Sequence, residues 1–517
     1  MPPETSVPLE IIHDSCDATT QHCIVVGRVE RVLLEELLAA CSSGVLWLVD
    51  AEYSRGIHYN GLLTIPIDTV SLEDFLSVLM RFVFRVGGIL PGVKVSHSIE
   101  FLHSDRYAFF GKQMKGFLLS AAAFMPTQRA RKIPASLHRQ DRVIHNLEKL
   151  PRTLLPQSAR NLFSEMPAVI LGAGPSLDSV LPTLSKWQDH CLVFATDSTL
   201  SACKHHSIQP DFVINIDPDK SAQDAWPKTF NIGWALLSLQ STEDWFERSD
   251  DCAWILPMGS LTEHWVEQQG FSLGPRIAAS NAGFTAVAMA SFFGCKPIVL
   301  LGMDMASDPN QLKSTHSQYV SHTSHADDVQ RVRETANIRY IPGNYEDTVP
   351  TIFYPFYQEM NAWLEGEGRS SQVVNITDRG AAFTNTTLVH PKDADAWFNA
   401  NCPRPLENGH AKRACGLQTS QMSHPSIKPC LDKVRSAAGE ALAKLKAYQD
   451  APRDDAWRSS VVGVLRLVLQ EKDVQGVLGT FFMDQLARLA AHQLPGEQEV
   501  EQLFEYTIQL LEIASAL

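Results

Sequence analysis

One pattern recurs seven times between about Ser164 and Pro391: a short apolar run, a turn, then a helical segment. The runs are AVILGAG, CLVFATD, FVINID, WALLSL, AWILPM, PIVLLGMD and QVVNIT. Apolar runs this short, alternating with helical stretches, read as strands buried on both faces of a parallel sheet. The pattern therefore predicts an α/β domain with helices on both sides of its sheet. Ligands of such sheets collect beyond the carboxyl ends of the strands, which makes the residues just after each run the functional candidates. Gly172 to Ser176, Asp197, Asp217 and Asp304 stand there.

The flanks read differently. HCIVVG and VLWLVDA are short buried strands joined by the helical RVERVLLEELLAACSSG, the opening of a small Rossmann-like α/β unit. Its turn, GRVERV, carries one glycine where a dinucleotide-binding turn has three, so the expectation is a domain without a cofactor. SLEDFLSVLMRFVFRVGG predicts an amphipathic helix, and RQDRVIHNLEKLPRTL a connecting one. After a polar stretch, four segments with single apolar stripes predict a helical C-terminal bundle. The expected boundaries are 1–118 for the N-terminal domain, 119–163 for a helical connector, 164–400 for the central domain, 401–425 for a linker and 426–517 for the bundle.

The 517 residues are 44% apolar and carry a net charge of −14. An acidic surface repels phosphates, which argues against nucleic acid as a partner. The ten cysteines are scattered without a CxxC pair and read as reduced thiols. With no leader pattern and no apolar run of about 18 residues, the expectation is a cytoplasmic chain without a membrane span.

Four blocks carry chemistry. In LGAGPSLD, Gly172 and Gly174 remove side chains where backbone comes close to a ligand, Pro175 sets the turn, and Ser176 is placed to cap the next helix. Amides at that helix start form an anion site; the alternative is a tight turn that binds nothing. In FVINIDPDKS, Asp217 and Asp219 have the spacing of a carboxylate pair that holds Mg²⁺ or Mn²⁺, or else they cap a turn. Asp197 stands at a neighbouring strand end. In SNAGFT, Ser280, Asn281, Gly283 and Thr285 open a helix that could take a second anion or a sugar, while Val287, Ala290, Phe293 and Cys295 read as core. The loop after Asp304 carries His316, His322 and His325, which can move a proton near neutral pH, bind a metal, or simply be solvated.

VILGAGPSLD, VFATDSTLSACKHHSIQPDFVINIDPD, NAGFTAVAMASFFGCKPIVLLGMDMA, IPGNYEDTVPT and VVNITDRGAAF, in that order, resemble the motility accessory factor family. These are bacterial glycosyltransferases that attach nonulosonic acids to flagellin. The resemblance covers the central domain, and two blocks are also similar to bacterial sialyltransferases that use CMP-sialic acid. It implies a sialyltransferase-like parallel-sheet central domain, CMP-nonulosonic acid as donor, and flagellin as protein acceptor. No cofactor is then required, with Mg²⁺ an open option at Asp217 and Asp219. The donor would lie against Gly172, Gly174, Pro175, Ser176, Asp197, Asp217, Ser280, Asn281, Gly283, Thr285, Asp304 and Asp378. Family spacing points to His316 as the catalytic histidine, with His322 and His325 as alternatives. Asp378 and Arg379 stand where the family has glutamate and glycine, so sugar specificity is expected to differ. Two other readings compete: a pterin diphosphokinase-like enzyme using Mg²⁺ and ATP, and a flagellin-binding chaperone without catalysis.

Overall fold

The computed structural model describes residues 10–11, 22–40, 44–59, 62–66, 93–97, 133–147, 155, 159–218, 220–225, 232–254, 262, 265–266, 269–271, 281–306, 316–320, 339–406, 426–454, 456–457, 460–461, 473–474, 476–478 and 497–516. The chain forms two compact units. One comprises residues 1–133 and 481–503, the other residues 134–480 and 504–517.

In the first unit the two runs read as strands are strands. A five-stranded sheet has the order β1-β5-β2-β3-β4, from β1 (Glu10–Ile11), β2 (His22–Val26), β3 (Gly44–Val49), β4 (Leu62–Pro66) and β5 (Val93–His97). Only β1 runs antiparallel to its neighbour. Helix α1 (Arg31–Ala40) crosses between β2 and β3, and its Leu34 packs with Cys23, Val25, Val45 and Trp47. The turn after β2 is closed by its own residues. The Trp47 indole donates to the Gly27 carbonyl at 2.9 Å, and Arg28 pairs with Asp50 at 2.8 Å. The helix expected over SLEDFLSVLMRFVFRVGG lies outside the described residues.

The second unit is built on an eight-stranded parallel sheet. Helix α2 (Ile133–Leu147) precedes it. The strands are β6 (Ala168–Leu171), β7 (Leu192–Thr196), β8 (Phe212–Asn215), β9 (Ile232–Leu237), β10 (Ser249–Trp254), β11 (Ile298–Leu301), β14 (Val373–Ile376) and β15 (Thr387–Val389). Their order is β10-β9-β8-β7-β6-β11-β14-β15, so the chain winds one way from β6 to β10 and then returns to the other side of β6. The order reverses between β6 and β11, and the loops leaving those two strands open the crevice where ligands of doubly wound sheets sit. A separate hairpin, β12 (Arg339–Pro342) with β13 (Thr348–Thr351), is antiparallel.

Two elements differ from the sequence reading. AWILPM was expected as a strand, whereas β10 covers Ser249–Trp254, with three polar residues at its start. As an edge strand it pairs with β9 alone, and an edge tolerates polar residues that a central strand does not. The eighth strand, β15, is three residues with exposed Thr387 and Leu388 and carries no apolar run.

The core explains why the sheet is so apolar. Helix α3 (Leu177–Trp187) buries Leu177, Val180, Leu181 and Leu184. Helix α5 (Ala282–Phe292) is buried nearly all round, as an apolar helix without a polar face must be. The expected core positions Val287, Ala290, Phe293 and Cys295 are all buried. Phe293 stacks on Phe212, and Phe212 on Phe194, with ring centroids 5.4 and 4.6 Å apart. Between α3 and α5 lies the short α4 (Leu200–His205), and after β13 come α6 (Tyr354–Glu365) and α7 (Ala394–Asn401). The tail contributes α8 (Lys428–Lys446), which buries Leu431, Val434, Ala438, Ala441 and Leu445 in one stripe, and α9 (Glu497–Ala516). Among the described residues no helix is long and apolar enough to cross a membrane.

Candidate functional site

At the switch point the two glycine-bearing turns press against each other. A Cβ on Gly172 would lie 2.5 Å from the Gly302 carbonyl oxygen and 2.7 Å from Met303 Sδ. One on Gly174 would lie 2.5 Å from Asp304 Oδ2, and one on Gly283 would meet Met303 Sδ at 2.6 Å. The sequence assigns Gly172 and Gly174 to a ligand's close approach, and Gly283 to a helix start that takes an anion or a sugar. Their missing side chains instead admit the turn that follows β11, with Met303 seated between Gly172 and Gly283.

Asp304 is the hub of this arrangement. Its Oδ2 accepts the Ser176 amide at 2.8 Å and its Oδ1 the Ser176 hydroxyl at 2.5 Å, with Thr377 Oγ1 donating to Oδ1 at 3.3 Å. Its carbonyl accepts the Ala381 amide at 2.7 Å, and a Cβ on Gly380 would strike its Cα at 2.8 Å. Gly380, at φ +81°, is the residue that lets the loop after β14 come this close. Burial pushes the Asp304 carboxyl above the usual carboxylate range, against hydrogen bonds from Ser176 and Thr377 and the nearby Arg379 charge. Ser176 consequently caps nothing with its side chain: it starts α3, but its hydroxyl goes to Asp304, and so does the amide expected for an anion. Asp304 occupies that position with a carboxylate of the protein's own.

At the ends of β7 and β8 a second buried carboxylate is fully engaged. Asp197 Oδ1 accepts Lys220 Nζ at 2.8 Å and Ser198 Oγ at 3.0 Å, and Oδ2 accepts Asn215 Nδ2 at 2.9 Å. Burial alone would push this carboxyl up; the Lys220 charge and the hydrogen bonds from Lys220, Asn215 and Ser198 outweigh it and hold it below the usual range. Sequence reading missed Lys220, although it directly follows the DPD triplet. A lysine ammonium thus stands beside this carboxylate. Asp217 is half-buried in the same loop, which α2 anchors through Arg142 bonding the Pro218 carbonyl; Asp219 lies outside the described residues. Asp197 thus accepts three hydrogen bonds, one of them from an ammonium. Among the described residues no cluster of three or more metal-ligating side chains occurs.

The start of α5 adds a donor. Asn281 caps the helix, its Oδ1 accepting the Phe284 amide at 2.8 Å. Its Nδ2 is buried and has no hydrogen-bond partner among the described residues. The Thr285 hydroxyl is turned inward to the Asn281 carbonyl at 2.9 Å. Ser280 lies outside the described residues.

His316 heads the 316–320 segment, half-buried with its ring edge-on to Phe353 at 6.4 Å. The Ser317 amide donates to the Ala173 carbonyl at 2.8 Å, which ties the segment to the glycine loop. His322 and His325 lie outside the described residues. Asp378 is half-buried after β14 and grips Arg379 with both oxygens, at 2.7 and 3.1 Å. The Asn344 side chain and the Tyr345 hydroxyl, from the turn between β12 and β13, fasten this loop through the Arg379, Ala381 and Thr377 carbonyls. The sequence block IPGNYEDTVPT thus has a structural task at the site.

Fold and site together define a doubly wound α/β domain with candidate groups gathered at its switch point. Residues 141–310 match the family model described as 6-hydroxymethylpterin diphosphokinase MptE-like. That match takes in the glycine loop, Asp197, Lys220, Asn281 and Asp304. An uncharacterized protein of Treponema pallidum (strain Nichols) is 31% identical over 93 residues, 17% of this chain. The match spans 44% of that relative, less than half its length. A solved structure described as MAf glycosyltransferase from Magnetospirillum magneticum AMB-1 aligns with 96% of this chain and 78% of its own, at 14% identity and a TM-score of 0.49.

Proposed function

We propose that this chain is a glycosyltransferase that moves a nonulosonic acid, of pseudaminic or legionaminic type, from its CMP form to Ser or Thr hydroxyls of flagellin in the cytoplasm. The reading rests on the five sequence blocks and on one geometric observation: the segment headed by His316 is hydrogen-bonded to the glycine loop at Ala173. The residue next to the candidate base is therefore tied to the glycine turn at the switch point. In this reading His316 accepts the proton of the acceptor hydroxyl as the phosphate departs. In this reading Asn281 Nδ2 is the hydrogen-bond donor that meets an oxygen of the nucleotide sugar, while Ser176 and Asp304 hold the frame. Transfer at an anomeric carbon depends on positioning the two reactants and stabilising the leaving phosphate. The test is incubation with CMP-pseudaminic or CMP-legionaminic acid and unmodified flagellin, read by intact mass. Flagellin gains one sugar mass or more; no gain with either donor refutes the proposal.

The MptE-like match favours a second reading, a diphosphokinase that uses Asp197 and Asp217 for Mg²⁺ and ATP. The engagement of both Asp197 oxygens by Lys220, Ser198 and Asn215 weighs against it. A thermal shift with ATP and Mg²⁺ but not with CMP would favour it.

A further inference from the structure

We propose that Asp178 is a positioning residue for His316: from the first turn of α3 its carboxylate fastens the 316–320 segment to the glycine loop and so fixes where the imidazole stands. The inference deepens the transfer reading and rests on it. Both carboxylate oxygens are engaged by the segment, Oδ1 by the Ser317 hydroxyl and Oδ2 by the Gln318 amide at 3.0 Å. The Ser317 amide reaches the Ala173 carbonyl at 2.8 Å, so residues 317 and 318 are gripped from the loop and from the helix at once. A further contact sits beyond them: the Tyr319 ring lies 4.6 Å from His205 and 5.2 Å from His206, at the end of α4.

An acid in the first turn of a helix has an ordinary use, compensating the helix dipole, and that use needs only its charge. Here two donors from one remote segment converge on the two oxygens of one carboxylate, the geometry of a clasp. His316 is one residue from the clasped serine. A base acts only within hydrogen-bond reach of the proton it takes, so a shift of its segment by about an ångström is enough to cost transfer about 100-fold.

The test combines a double-mutant cycle with hydrogen exchange on the full-length chain. Asp178→Ala removes both bonds of the clasp, whereas Ser317→Ala removes one of them and leaves the start of α3 untouched. Each should lower kcat by about 100-fold with little change in donor KM. Added to His316→Ala, neither should cost anything more, because both act through the imidazole. The Gln318 amide, which loses its acceptor in Asp178→Ala, should exchange about tenfold faster or more in that variant. Undiminished penalties in the His316→Ala background, or unchanged exchange at Gln318, would overturn the assignment. If the wild-type chain transfers no sugar, the functional reading falls by itself, and the exchange comparison still decides whether Asp178 holds the segment.

Discussion

Ser176→Ala probes the contact on which the crevice is built. The hydroxyl is fully buried and donates to Asp304 Oδ1 at 2.5 Å, while the main-chain amide to Oδ2 survives the substitution. A hydrogen bond to a buried carboxylate contributes about 1.5–3 kcal/mol, against about 0.5–1.5 kcal/mol for one between neutral groups. The penalty therefore depends on the protonation of Asp304, whose carboxyl burial raises above its ordinary range. A raised folded-state value means that the stability linked to Asp304 is complete below the unfolded-state value and is lost as pH climbs through the folded one. Removing the Ser176 hydroxyl takes away a stabiliser of the charged form, raises the folded-state value further and deepens that loss. On going from acid to alkaline pH the penalty should therefore grow, from about 0.5–1.5 kcal/mol while the acid is neutral to about 1.5–3 kcal/mol once it is charged. Urea unfolding followed by tryptophan fluorescence across that range measures it, with Trp187, Trp234 and Trp245 in the same unit reporting. A penalty that stays constant with pH, or shrinks as pH rises, would refute the reasoning.

Two other substitutions test the neighbouring contacts. Gly174→Ala sets a methyl 2.5 Å from Asp304 Oδ2 and 2.6 Å from the Gly302 carbonyl. One neighbour is backbone, so a loss of about 1–3 kcal/mol or more is expected in the same unfolding assay. Lys220→Met leaves the Asp197 carboxylate buried without its cation and should cost about 3–5 kcal/mol at neutral pH. Because Lys220 holds Asp197 below the usual range, the stability it provides is present above the unfolded-state value and lost as pH falls through the folded one. The Lys220→Met penalty should accordingly shrink in acid, and pairing it with Asp197→Asn should restore part of the loss.

Much of the sheet was legible because its strands are continuous apolar runs, and continuity is a local property. The runs at Ala168, Leu192, Phe212, Ile298 and Val373 became adjacent parallel strands in the centre of the sheet. At the edges the signal failed. Ser249–Trp254 opens with polar residues and Thr387–Val389 is exposed, since an edge strand needs less burial to hold its place. Among the candidate residues, Asp197, Asn281 and Asp304 were read from their places after strands or at a helix start, and His316 from its loop and the family spacing. Lys220 and Asp178 were missed as partners, because a lysine after two aspartates and an acid in a first helical turn are both common on surfaces. Ser176 was read correctly as the start of a helix and wrongly as its side-chain cap, since its partner stands 128 positions away.

The chain's own letters determined that certain places must lack a side chain and that strands would end in acids and small residues, because both follow from backbone sterics and local burial. What fills those places was decided only by strand order. By putting β11 beside β6, the fold brings Gly302 and Asp304 against Gly172 and Gly174. A glycine records that something comes close; whether that something is a ligand or another turn of the same chain depends on non-local packing, which no short stretch of sequence contains.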